Sequence, residues 1–192
     1  MNKPMNYDNI KTGDFTPINL GGHHMIIKRV EEMKSKSGKD MLKVAFDFAP
    51  TDAQKNYFAD QFASDIRPDK KWPNSGISYV VATDDTGNTS RSFKTFITSV
   101  EESNPGFMVN WCDGAAFVNQ FVGKKIGGVF GKVEDEYNGE RKLKTNLRWF
   151  CADQKADNAK VPDDKLLPAG SSVTKVASVP APTPVEDIEI PL

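Results

Sequence analysis

The chain has 192 residues, 38% hydrophobic and 27% charged, enough for one domain with a real core and a tail. No apolar run reaches bilayer-spanning length, and the opening MNKPMNYDNI has no signal-peptide core. The two cysteines, Cys112 and Cys151, supply neither a disulfide framework nor metal-ligand spacing. A cytoplasmic protein is therefore expected, with no membrane segment, metal or cofactor.

The net charge of −1 hides an asymmetry, because residues 153–192 carry four basic and seven acidic residues, leaving 21 basic and 19 acidic in the body. So neutral a body can argue for a polyanionic partner only through where its charges lie.

The stretch MIIKRVEEMKSKSGKDMLKVAFDF (25–48) predicts a β-hairpin. One strand runs over His24–Lys34, the turn SKSGK offers Gly38 for a positive φ, and the second strand ends at Phe48. Alternation places Leu42, Val44, Phe46 and Phe48 on one face, and Met41, Lys43, Ala45 and Asp47 on the other. TDAQKNYFADQF reads as a short helix, RPDKKWPNSG as a loop and ISYVVAT as a strand.

The period then changes. Phe93, Phe96, Ile97 and Val100 fall at helical spacing, with Thr89 or Ser90 as N-cap and SNPG as the stop. GAAFVNQFV is a second helical stretch. In KKIGGVFGKVEDEYNGERKLKTNLRWFCA, Asn138-Gly139 is a strong hairpin turn between two strands. On the second of these, Leu143, Thr145, Leu147 and Trp149 are expected to face the core, and Lys142, Lys144, Asn146 and Arg148 solvent. After Cys151 the pattern loses all period, so 153–192 reads as a disordered linker with a tip, after a folded domain at 15–152.

Five strands with a helix between the third and fourth match a mainly β fold: a five-stranded Greek-key barrel of the oligonucleotide-binding (OB) type with one or two helices. A generic α+β sheet domain would give the same string.

FVGKKIGGVFGKVEDEYNGERKLKTNLRWF (121–150) resembles the closing hairpin of a group of phage-encoded single-stranded DNA-binding proteins, and residues 25–48 are similar to that group's first hairpin. Residues 50–112 have no counterpart in the resemblance. Separately, EDIEIPL at the end of the chain resembles the acidic tip of bacterial and phage single-stranded DNA-binding proteins, with leucine where the tip usually ends in an aromatic. The resemblance implies sequence-independent binding and protection of single-stranded DNA during phage replication, recombination and repair. It also implies recruitment of replication or recombination proteins by Glu186, Asp187, Ile188, Glu189, Ile190, Pro191 and Leu192. A recombination mediator or annealing accessory that binds a replisome protein first and DNA weakly is the alternative, and a homo-oligomer is compatible with either.

Single-strand binders need a cationic groove and exposed rings on which bases stack. The candidates are Lys28, Lys43, Lys71, Trp72, Lys125, Lys132, Tyr137, Arg141, Lys142, Lys144 and Arg148. The spacing of Lys142, Lys144 and Arg148 along one strand is a like-charge crowding that phosphates would relieve, although an ordinary solvated sheet face has the same composition. Trp72, between Lys71 and Pro73, is either a stacking ring or a loop anchor. An enzyme is not expected: GGVFGKV lacks phosphate-loop spacing, and His23 and His24 are adjacent on a strand and face opposite ways. DDTGN is first of all a turn, and no nucleophile–base set has a recognisable local signature.

Overall fold

Two hairpins and one returning strand build a single antiparallel sheet. The computed structural model describes residues 16–168 together with Lys3 and Met5, so the expected partner-binding tip at 186–192 lies outside the described residues. Strand β1 (Gly21–Lys34) pairs with β2 (Asp40–Phe48), and Gly38 takes φ 80° in the turn between them. A short helix α1 (Tyr57–Ser64) and a 3-10 turn at Asn74–Gly76 lead to β3 (Ile77–Val81), which pairs with β2. Helices α2 (Arg91–Ser103) and α3 (Ala115–Asn119) follow, then β4 (Lys125–Tyr137) and β5 (Glu140–Cys151). The turn between β4 and β5 has Asn138 at φ 53° and Gly139 at φ 79°, the left-handed pair that an Asn-Gly hairpin uses.

The strand order is β3-β2-β1-β4-β5. The expected closed barrel is not formed, because β3 and β5 are edges and do not pair with each other. Ahead of the five-residue β3 the chain turns as the 3-10 segment, which touches β5 without extending the ladder. Among the described residues there are three α-helices, one at each helical stretch read from the sequence, where the barrel expectation counted one or two.

The core follows the alternation in β2. Phe46 and Phe48 are fully buried with Phe58 of α1, Phe96 of α2, Phe130 of β4 and Phe121 in the turn after α3. Each such ring contributes about 1.5–3 kcal/mol by leaving water. Ser90 caps α2 by accepting the Phe93 amide, and the helix buries Phe96, Ile97 and Val100, as its spacing predicts. Capping of α1 is tertiary, since Asn56 makes no side-chain cap and Asp47 Oδ1 of β2 accepts the Phe58 amide at 2.9 Å.

Two β-bulges set which side chains reach the surface. In β1 the register steps from Ile27↔Phe46 to Arg29↔Ala45, leaving Lys28 as the extra residue. In β5 it steps from Leu147↔Phe130 to Trp149↔Val129, leaving Arg148 as the extra residue. A bulge reverses the inward-outward phase of the residues after it. The second bulge corrects the expected face of β5: Leu147 packs on the core and Phe150 is buried, whereas Trp149, expected inside, is 45% exposed.

Residues 153–168 also differ from the expected linker. They begin as a 3-10 turn at Asp153–Lys155, bury Ala156 and lie as a strap along β4. There the Lys165 amide donates to Lys132 O and the Glu134 amide to Lys165 O, at 3.0 and 2.8 Å. The strap covers a stretch of β4 beyond its pairing with β1, which ends at Phe130. No helix among the described residues is long and apolar enough to cross a membrane.

Candidate nucleic-acid interface

On the outer face of β1, β2 and β3, side chains line up in rows across the strands. Glu31, Lys43 and Tyr79 stand opposite one another in one row, and Arg29, Ala45 and Ile77 in the next. The loop before β3 rises over this face and encloses a cleft of about 550 Å³, lined by Lys28, Arg29, Lys43, Lys70, Lys71 and Tyr79 with Trp72 and Phe62 as walls. Five cations meet one acid, Glu31, which pairs with Arg29 at 2.6 Å and Lys43 at 3.1 Å. Lys70 lies 4.8 Å from the centre of the Phe62 ring. Lys28 and Lys71 are exposed and have no ion-pair partner among the described residues. Such an arrangement attracts a polyanion and offers it rings beside the charges.

Of the expected residues, Lys28, Lys43, Lys71 and Trp72 come together here. Trp72 is half-buried, and its indole N–H donates to both Phe46 O and Gly76 O at 3.2 Å. That geometry is of a loop anchor. The exposed ring of the cleft is Tyr79, 56% accessible, which the sequence reading missed. A signal was present: with Val80 inward, alternation in ISYVV turns Tyr79 outward.

Beside the cleft, the gap between the two sheet edges forms a groove of about 730 Å³. Tyr79 lines it too, facing Trp149 and Arg148 of β5 and Arg91 at the start of α2. Arg91 was also missed. It lies in the first turn after the Ser90 cap, where sequence alone offers no clue to its neighbours.

The expected cationic stripe on β5 is not a free stripe. Lys144 pairs with Asp135 across the hairpin at 2.6 Å, Arg141 with Glu136 and Glu134, and Lys142 with Glu140. Acids in VEDEYNGE, which the reading of β5 alone left out, stand beside the bases and offset them. Bonding between Asp135 and Lys144 holds the Asp135 carboxyl below its usual range. Arg148 Nη1 donates to the main-chain oxygens of Lys132 and Asp163 at 3.3 and 2.8 Å.

Tyr137 is exposed at the hairpin tip and Lys132 on β4, and neither lines the cleft or the seam groove. Lys125 lies in a separate hollow with Lys124 and Phe107. Trp111 is exposed and stacks on Phe117 at 5.6 Å beside Phe93, bordering another groove near the β1–β2 turn.

The histidines face opposite ways, as expected. His23 stacks on Phe48 at 4.2 Å and bonds Asp52, while His24 reaches Asp153 and Asp157. The Asp84 carboxylate closes its own turn through Thr86 and Asn88. Comparison with known proteins finds no family model that matches this chain and no curated protein that matches it significantly in sequence.

Proposed function

We propose that the protein binds single-stranded DNA without sequence preference and coats it during replication or recombination, as a non-catalytic OB-type domain. The order β3-β2-β1-β4-β5 with a helix between β3 and β4 supports that fold, read as a five-stranded barrel opened between β3 and β5. The observation that carries the function is Tyr79, an exposed ring shared by the five-cation cleft and the seam groove with Trp149. A strand crossing there would place phosphates on Lys28, Lys43 and Lys71 and bases on Tyr79 and Trp149, while a duplex keeps its bases stacked inside. In this reading Glu186–Leu192 forms the tip that recruits partner proteins, its acids steering and Leu192 anchoring.

The test is binding of labelled oligo-dT against matched duplex over a range of salt. With the cleft's net positive charge of about four, the log–log salt slope for a single strand should be about −3. Equal affinity for duplex, or no binding to either at low salt, overturns the proposal and favours a protein-first accessory role.

A further inference from the structure

The strap after β5 is held at its start by one histidine between two carboxylates. His24 Nδ1 lies 2.8 Å from Asp153 Oδ1, and Nε2 lies 3.0 Å from Asp157 Oδ1. A neutral imidazole carries one N–H, so it can satisfy one of these contacts, and an imidazolium satisfies both.

The surrounding groups are already engaged. Asp52 Oδ2 accepts the His24 main-chain N–H and the carboxylate also bonds His23, while Lys155 of the strap pairs with Glu102 of α2 at 2.7 Å. The residue opposite His24 on β4 is Gly127, which brings no side chain. The strap approaches β1 closely at Gly22, where a Cβ would collide with the Ala156 main chain.

Further along, the strap is held by the two main-chain bonds at Lys165, by the Leu167 amide on Glu134, and by Asp163 O on Arg148. This last contact ties the strap to the seam. Arg148 lines the seam groove, yet its guanidinium is turned onto Asp163 O and, more weakly, Lys132 O.

We infer that His24 and the strap Asp153–Pro168 form a protonation-gated latch: imidazolium bridging Asp153 and Asp157 holds the strap on β4, and loss of its proton loosens the strap and, with it, the Asp163 contact of the Arg148 guanidinium. The consequence for DNA, an added cation in the seam groove, rests on the function proposed above, whereas the latch does not. Burial lowers the His24 pKa, but the bonds and charges of Asp153 and Asp157 outweigh it, so the pKa is raised above 6.5. A raised histidine pKa gives stabilisation that is complete below the unfolded value and lost as pH rises through the folded value. The latch is therefore closed below 6.5 and opens as pH rises through the raised folded value.

The test is amide hydrogen exchange on the full chain, without DNA, followed by NMR and corrected for intrinsic base catalysis. The reporters are the Glu134 and Lys165 amides. Their protection should fall about fivefold across the His24 titration, the scale of one partly exposed ion pair. In His24→Gln the step should vanish, with low protection at every pH. Asp157→Asn, altering a largely exposed side chain, should shrink the step and move the His24 titration toward 6.5. Amides of the β1–β2 ladder should show no step. The latch is overturned if the step persists in His24→Gln, if wild-type protection stays flat while His24 titrates, or if ladder amides follow the same step. The last result would mean global opening.

Discussion

The indole Nε1 of Trp72 donates to the main-chain oxygen of Phe46 at 3.2 Å, which fastens the loop before β3 to the strand beneath it. The same N–H reaches Gly76 O, and the ring lies 5.7 Å from Phe62. Trp72→Ala should therefore cost about 2–3 kcal/mol of stability, from lost packing and an orphaned carbonyl. Trp72→Phe, which keeps a ring and loses the N–H, should cost about 1 kcal/mol. Urea melts check both. Unchanged stability with weakened oligo-dT binding would instead make Trp72 the stacking surface.

Tyr79 and Trp149 should behave in the opposite way. Both rings are about half accessible, so truncation removes little packing. If bases stack on them, Tyr79→Ala and Trp149→Ala should each weaken oligo-dT binding by about 1–3 kcal/mol while the melting temperature changes little. Fluorescence titration of oligo-dT reads the affinity. A loss of folding with intact affinity per folded molecule would remove these rings from the interface.

The hairpins, the Ser90 cap and the inward face of β2 were legible in the sequence because each depends on residues close in the chain. The face of β5 was not. A bulge at Arg148 is chosen by the fit of β4 against β5, and once present it exchanges the roles expected of Trp149 and Phe150. Neutralisation of Lys144 and Arg141 was missed for a related reason: their carboxylates lie across the turn, and strand composition read one strand at a time does not pair them. The strap looked structureless because its contacts are main-chain bonds and single side chains, which leave no period.

The salt dependence of binding should separate the cleft from the stripe. Lys28 and Lys71 have no ion-pair partner among the described residues, so replacing both with Ala should reduce the magnitude of the slope by about 1.4. Replacing Lys142 and Lys144, each already paired with an acid, should change it by much less. The reverse ranking would move the interface to the β4–β5 hairpin.

Asp47 gives a prediction about stability that is independent of function. Its side chain is fully buried between β2 and α1, with Oδ1 accepting the Phe48 and Phe58 amides at 2.9 Å each. Among the described residues Oδ2 has no hydrogen-bond partner. Burial raises the pKa above 3.8, against the opposing pull of the neighbouring main-chain amides and of Lys28. The native state thus holds its proton to higher pH than the unfolded chain, so this group's contribution to stability falls as pH rises from about 3.8 through the folded value. Asp47→Asn keeps an acceptor for the Phe58 amide and removes the buried charge. It should match or exceed wild-type stability at pH 7 and flatten that part of the pH profile. Asp47→Ala removes the acceptor that serves α1 as its cap and should lose about 1–2 kcal/mol at pH 7. Urea melts from pH 4 to 8 on the three proteins decide it: if Asn is as damaging as Ala, the carboxylate is needed in its charged form and the account of Asp47 fails.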